Sequence, residues 1–359
     1  MKNKGKRVLV ALSGGVDSST AAYLLKEQGY DVVGVTMCLG IKSPSTEKVK
    51  CCGSDAIDDA KKVCNHIGIA HYLLDFSKQM KEFVIDDFVN EYLLARTPNP
   101  CIRCNEYLKF GKLLDYAKAM DFDFLATGHY AKIENINGKT FLKKAKDKKK
   151  DQTYFLYRIN KDSLKSIIFP LYDYTKEEVR EIAKKANLPV ASKPQSQDIC
   201  FIPGKKYKDF IDDFNPGSQK GDIVDKNGKV LGKHKGILNY TLGQRTGLGV
   251  SSPRPLYVIA LDKKDNLVIV GDKKDLKAKI LIADKFHSLM DDFPSKLKAK
   301  IRFAHQESWV DMANMGQGRI KVVFEHDQEA ITPGQSIVFY DRDIVCGGAI
   351  ISEVEKNNG

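Results

Sequence analysis

The chain has 359 residues, 42% apolar and 29% charged, which excludes a disordered polymer and leads us to expect two or three domains. No apolar run approaches the length of a membrane helix, and the opening "MKNKGKRVLVAL" meets "SGG" too soon for a secretory signal; we expect a cytoplasmic protein with no membrane partner. A net charge of +12 favours a polyanionic partner, and the eight cysteines (38, 51, 52, 64, 101, 104, 200 and 346) are expected to be reduced thiols.

In chain order, "RVLVAL" reads as a short buried strand, "SGGVDS" as a glycine loop, and "STAAYLLKEQG" as a helix ending at a glycine. "YDVVGVTM" follows as a second buried strand. Ser54 is expected to cap a helix carrying Ala56, Ala60, Val63 and Ile67, and "IAHYLLDF" is strand-like, with His71 packed rather than catalytic. Met80, Val84, Phe88 and Tyr92 recur every four residues and Ala95 follows three later, an amphipathic helix that stops before "RTPNP". "CIRCNEYLKFGKLLDYAKAM" reads as the next helix and "DFLATGHY" as a strand running into a Gly-His turn. The run "KKAKDKKK" (143–150) reads as a solvated loop, and Thr175 with Glu178 forms a capping box before "KEEVREIAKKANL". Strands alternating with helices at this spacing predict a parallel sheet covered on both faces.

After about residue 204 the texture changes. "GDIVDKNGKVLG" predicts a hairpin around Asn227-Gly228, and strand signals dominate from Tyr257 onward. "KAKIRFA", "RIKVVFE", "QSIVFY" and "CGGAIISEVE" read as antiparallel strands of a small barrel. The expected fold class is therefore α/β: a Rossmann-like domain over 1–204, a small mixed β-rich domain over 205–275, and an antiparallel β-barrel over 276–359.

The loop "SGGVDSS" (13–19) lies at the carboxyl end of the first strand and the start of a helix, where a mononucleotide belongs. Gly14 and Gly15 let backbone approach phosphate, and Ser13, Ser18 and Ser19 add hydroxyl donors. The lysine of a Walker A loop is missing. Asp17 stands there instead, suited to holding Mg²⁺ against pyrophosphate, which points to attack at the α-phosphate of ATP. This pattern resembles the PP-loop ATP pyrophosphatase superfamily.

Asn99 is placed to cap a helix and Pro100 to start it, so Cys101 and Cys104 fall in its first turns, where a helix N-terminus lowers a thiol pKa. A reaction joining ATP to these thiols would adenylate a carbonyl oxygen and displace AMP with sulfur. If sulfur arrives as a persulfide, a second thiol must cleave the S–S bond, and Cys200, in the loop-like "PQSQDICFIPG", is the candidate carrier. Cys51 and Cys52 with Cys101 and Cys104 offer a less regular zinc set, whereas Cys38, Cys64 and Cys346 lie in apolar patterns and read as core.

"LSGGVDSS", "RTPNPCIRCN", "ATGHYA", "KDQTYFLY", "ICFI", "TLGQRTGLG" and "TPGQSIVFY", in that order from residue 7 to about 355, resemble the bacterial tRNA-specific 2-thiouridylase (MnmA) family. The resemblance implies ATP-dependent conversion of a tRNA wobble uridine to 2-thiouridine, with sulfur from an upstream persulfide donor, a cysteine desulfurase or a relay protein. It implies Cys104 as nucleophile and Cys200 as persulfide carrier, and an ATP site of Ala11, Leu12, Ser13, Gly14, Gly15, Val16, Asp17, Ser18, Met37 and Gly128. Asn99, Pro100 and Cys101 would face the target base. His129, Lys150, Asp151, Gln152, Arg302, Phe303 and Gln335 would contact tRNA; Arg302 and Phe303 pair a cation with a stacking face. One departure is Cys101, where many members carry Asp. Two routes stay open: a persulfide relay through Cys200 and Cys104, or a 4Fe–4S cluster on Cys101, Cys104 and Cys200. A PP-loop ligase for a small metabolite and a zinc-bearing RNA-binding module are the rival functions.

Overall fold

The computed structural model describes residues 3–40, 54–194, 199–202, 210–211, 219–294 and 296–356. Strand β1 (Arg7–Ala11), helix α1 (Val16–Glu27), β2 (Asp31–Cys38), α2 (Ser54–Ile67) and β3 (Ala70–Asp75) alternate as their apolar runs require. A long helical segment follows: α3 (Ser77–Met80), a π turn over Lys81–Ile85, and α4 (Asp86–Leu93). Met80, Val84, Phe88 and Tyr92 are all buried along it, each side chain giving about 1.5–3 kcal/mol of burial free energy. The segment ends at Leu94, with Ala95 in the left-handed region at φ 57°.

A second helical segment holds α5 (Pro100–Arg103), a π-helical stretch over Cys104–Leu113, and α6 (Leu114–Ala119), and leads into β4 (Phe124–Thr127). A hairpin of β5 (Ala131–Ile136) and β6 (Lys139–Lys144), the short β7 (Ile167–Ile168) and α7 (Lys176–Lys185) complete this part. The capping box opening α7 is present: Thr175 Oγ1 accepts from the Glu178 amide at 3.2 Å, and the Thr175 amide donates to Glu178 Oε2 at 2.6 Å.

Five strands form a parallel sheet in the order β3-β2-β1-β4-β7. Its order reverses beside β1, so the loops after β1 and β4 flank one crevice, the place where such sheets bind ligands. Val8, Leu9 and Val10 are almost fully buried, the mark of a strand covered on both faces.

Strands β8 (Gly221–Asp225), β9 (Val230–His234), β10 (Tyr257–Asp262) and β11 (Leu267–Gly271) form a mixed sheet, with β8 and β11 parallel and the rest antiparallel. The β8–β9 turn contains Asn227-Gly228, with Gly228 at φ 84°. Strands β12 (Lys277–Ser288), β13 (Leu297–Lys300), β14 (Ser308–Gly316), β15 (Arg319–Glu329), β16 (Ser336–Asp341) and β17 (Ile344–Lys356) form an antiparallel barrel. Pairing of β12 with β17 closes it around Leu281, Val322, Phe324, Phe339 and Ile351.

The β5–β6 hairpin joins the barrel sheet at Ile344↔Lys143, tying the nucleotide-type domain to the barrel. The lysine run beside it is solvated only in part: Lys143 and Lys144 end β6 and pair with Glu134 and Glu307, while Lys146, Lys148 and Lys149 are exposed, the first two pairing with Glu178 and Asp343 at the surface. Among the described residues no helix is long and apolar enough to cross a membrane.

Candidate active site

The loop after β1 is a preformed cradle. Gly14 adopts φ 68°, and a Cβ there would fall 2.3 Å from the Ala56 carbonyl oxygen, so only glycine fits. Ser18 Oγ accepts from the Ser13 amide at 3.2 Å and donates to the Gly15 carbonyl at 3.2 Å; Ser19 Oγ donates to the same carbonyl at 2.8 Å. Gly15 precedes α1 with no side-chain cap, which leaves the helix amides to a ligand. Ala11 ends β1, buried Leu12 hydrogen-bonds β2 through Val35 O at 2.8 Å, Val16 and Asp17 open α1, and Met37 lies in β2.

Gly128, just past β4, presses on the cradle: a Cβ there would sit 2.6 Å from the Ser18 amide nitrogen. Its neighbour His129 faces the cysteine helix. Lys109 Nζ lies 3.5 Å from His129 Nε2 and donates to Asn105 Oδ1 at 3.0 Å. An ammonium only donates, so Nε2 must accept and the ring proton sits on Nδ1, 2.7 Å from Thr127 Oγ1. Burial, then the Lys109 charge, holds the imidazole pKa well below its usual range, so His129 is neutral. Tyr130 completes the connection by donating to Asp17 Oδ1 at 2.9 Å. Three consecutive residues therefore link cradle to cysteine helix.

Pro100 occupies the first position of α5 as expected; Asn99 stands at the cap, but its side chain makes no cap bond. Cys101 is exposed and Cys104 is buried at 8% exposure. The expected lowering of the thiol pKa does not prevail at Cys104: burial pushes it upward, against the opposing charge of Lys109. Lys109 is a site residue that the sequence did not flag. In an α-helix, positions 104 and 109 diverge; the i→i+5 winding over Cys104–Leu113 carries residues five apart toward one face. Behind them, buried Arg103 pairs with Asp87 and Glu106, each at 3.2 Å, and Arg158 pairs with Glu106 at 2.7 Å.

Cys200 is exposed in the segment Ile199–Ile202. Phe201 docks edge-on to Phe88 with centroids 5.3 Å apart, and Asp87, next to Phe88, pairs with Arg103, next to Cys104. Phe88, Phe201 and Cys104 share one core cluster. Cys64 and Cys346 are core, as expected, their thiols pushed up to about 11 and about 12 by burial. Cys38 is buried in the core, as expected. The zinc expectation involving Cys51 and Cys52 lies outside the described residues. His71 is packed, its Nε2 2.9 Å from Thr36 Oγ1.

Several residues expected to touch tRNA have internal work. Gln335 Nε2 donates to Thr97 O at 2.8 Å, fixing the barrel loop on the approach to Cys101. Arg302 donates to Glu329 O and Ala330 O at 2.7 and 2.8 Å. Asp151 is buried and accepts from Thr153 Oγ1 at 2.7 Å, because a carboxylate is better satisfied there than beside phosphate. Gln152 Oε1 accepts from the Tyr130 amide at 2.9 Å, and the Lys150 amide donates to Asp147 O at 3.2 Å. Phe303 differs: it is 39% exposed and its ring lies 4.7 Å from that of Phe155, whose carbonyl accepts from Asn105 beside Cys104.

Among the described residues no three His, Cys, Asp or Glu side chains gather closely enough to hold a metal ion. Cys101, Cys104 and Cys200 are all described, so as arranged they do not fit a shared 4Fe–4S cluster, and no step is derived through one. A nucleotide-borne Mg²⁺ is a different case. One carboxylate plus phosphate oxygens is its customary donor set, and Asp17 at the cradle fits that role.

A parallel sheet with a glycine cradle at its switch point, followed by a mixed sheet and a closed barrel, defines a nucleotide-dependent enzyme with appended β domains. Family models agree in order: a tRNA methyl transferase HUP domain over 6–204, a tRNA methyl transferase PRC-barrel domain over 208–272, and an aminomethyltransferase beta-barrel domain over 278–351. The tRNA-specific 2-thiouridylase MnmA 1 of Syntrophus aciditrophicus is 54% identical across 97% of this chain and 93% of its own. The MnmA protein of Halothermothrix orenii is 49% identical across 97% and 99%. A solved NMN synthetase from Francisella tularensis aligns over 60% of this chain and 79% of its own with TM-score 0.35 and 19% identity, too low to carry an argument. The chain belongs to the tRNA-specific 2-thiouridylase (MnmA) family.

Proposed function

We propose that this enzyme thiolates the wobble uridine of tRNA at C2, using ATP and persulfide sulfur. The observation that carries the reading is the Gly128-His129-Tyr130 link: adjacent residues touch the phosphate cradle and the helix of Cys101 and Cys104. An activated oxygen and a sulfur nucleophile have to meet, and this link brings the two halves of the site together.

In the proposed sequence, uridine O2 attacks the α-phosphate of ATP and pyrophosphate leaves, with the α1 amides facing the developing charge. Mg²⁺ at Asp17 would supply charge neutralisation on the phosphates. The terminal sulfur of a Cys200 persulfide bonds to C2 and AMP departs. Cys104 then attacks the remaining S–S bond, leaving 2-thiouridine and a Cys104–Cys200 disulfide. The transferred sulfur is reduced and the two thiols are oxidised; a cellular thiol reductant reopens the pair. Asn99, Pro100 and Cys101 face the flipped base, and Phe303 with Lys150 and Arg302 belongs to the tRNA-facing surface. The domains divide near 204 and 275.

A raised Cys104 thiol pKa fits a nucleophile kept neutral until substrate arrives: burial holds the thiol protonated and the nearby Lys109 charge favours its ionisation. The test is pyrophosphate release with and without tRNA. The proposal expects release that depends on tRNA; release driven by a small metabolite instead would favour the ligase reading. Anaerobic reconstitution followed by Mössbauer spectroscopy decides the sulfur route, and stoichiometric bound iron would replace the relay with a cluster.

A further inference from the structure

The cradle lacks the lysine that other phosphate loops carry in sequence, yet an ammonium reaches it from another element. Lys176, the first residue of α7, is 6% exposed, and its Nζ is paired at 2.5 Å with Oδ1 of Asp17, the second residue of α1. This is a costly place for a cation. Helix N-termini carry partial positive charge, and here the ends of α1 (12 residues) and α7 (10 residues) meet around a buried lysine. The cation is balanced by Asp17, which also accepts from Tyr130. Glu177 and Glu178 satisfy the dipole at α7 itself, and Glu178 is occupied with Thr175 and Lys146. A further lysine, Lys193, binds the Gly14 carbonyl at 3.0 Å and Asp59 at 2.7 Å, so the loop is flanked by two ammonium groups.

Resting on the nucleotide-binding reading above, we propose that Lys176 is the phosphate-chain cation of this site: it releases Asp17 when nucleotide binds and contacts the β- and γ-phosphates that leave as pyrophosphate. Two helix ends and a desolvated ammonium make the cradle selective for a polyphosphate anion over a monophosphate. Asp17 holds the lysine in place, and a lysine drawn to phosphate would leave that carboxylate to a nucleotide-borne Mg²⁺. The function of a loop lysine is thus supplied from α7, 159 positions downstream of the residue that stores it.

The test is calorimetric titration of the full chain with Mg·ATP, inorganic pyrophosphate and AMP, for wild type, Lys176→Met and Lys176→Gln. Gln retains a donor for Asp17 and guards against a folding defect in Met, and thermal melts report the fold of each. We expect both neutral variants to weaken ATP and pyrophosphate by about tenfold or more, the loss of one charge-assisted contact, with AMP affinity unchanged within about twofold. Equal weakening of all three ligands would make Lys176 a structural partner of Asp17 and overturn the proposal, as would unchanged affinity for pyrophosphate. Wild type binding no ATP would instead sink the nucleotide reading itself.

Discussion

At the scale of single residues, the site separates groups that are poised from groups that are sealed. Cys101 and Cys200 are exposed, whereas Cys64 and Cys346 are buried with thiols at about 11 and about 12. Alkylation of native protein at pH 8 should therefore label Cys101 and Cys200 first and leave Cys64 and Cys346 unmodified, read by peptide mass mapping. Gly128→Ala places a methyl 2.6 Å from the Ser18 amide, and ATP affinity should drop by about tenfold while the melting temperature moves only a few degrees. His129 has a folded pKa well below the ordinary 6.5, so the unfolded chain takes up a proton first as pH falls. Its contribution to stability is complete above about pH 6.5 and drains away as pH drops towards the folded value. Melts between pH 7 and 5 should slope less in His129→Gln than in wild type.

At the scale of elements, much was legible because local patterns agreed with tertiary demands. The Thr175–Glu178 box, the Asn227-Gly228 turn and the four-residue spacing from Met80 to Tyr92 all appear as expected. Thr175→Ala should cost about 1 kcal/mol, measurable by urea unfolding, since it strips one amide of its acceptor at the start of α7. The π-helical stretch was not legible. Its i→i+5 winding has no distinct residue signature in "CNEYLKFGKL", and it is this winding that turns Lys109 toward Cys104. The β5–β6 hairpin was missed for a related reason: Lys143 and Lys144 at its end read as solvated, and only Glu134 on the facing strand and Glu307, distant in sequence, show why they are held. Lys176 was invisible as a cradle residue because its partner Asp17 lies in another helix.

At the scale of the whole molecule, the barrel and the nucleotide domain share structural duties. Gln335 and Gly334 hold Thr97, just before the cysteine helix, while Tyr154 and Tyr157 hydrogen-bond Ser336 of the barrel. A tRNA bound across both parts would meet a chain of net charge +12, and its affinity should fall by about tenfold or more between about 50 and 200 mM salt. Gel-shift titration with an anticodon stem-loop checks this; an affinity indifferent to salt would argue against phosphate contacts. The central claim joins this surface to the two cysteines. Its most direct test is mass analysis of nucleosides from tRNA incubated with ATP, a persulfide source and wild type, Cys104→Ser or Cys200→Ser enzyme. The account predicts 2-thiouridine from wild type, none from either variant, and tRNA-dependent pyrophosphate release from all three; undiminished 2-thiouridine from both variants would contradict it.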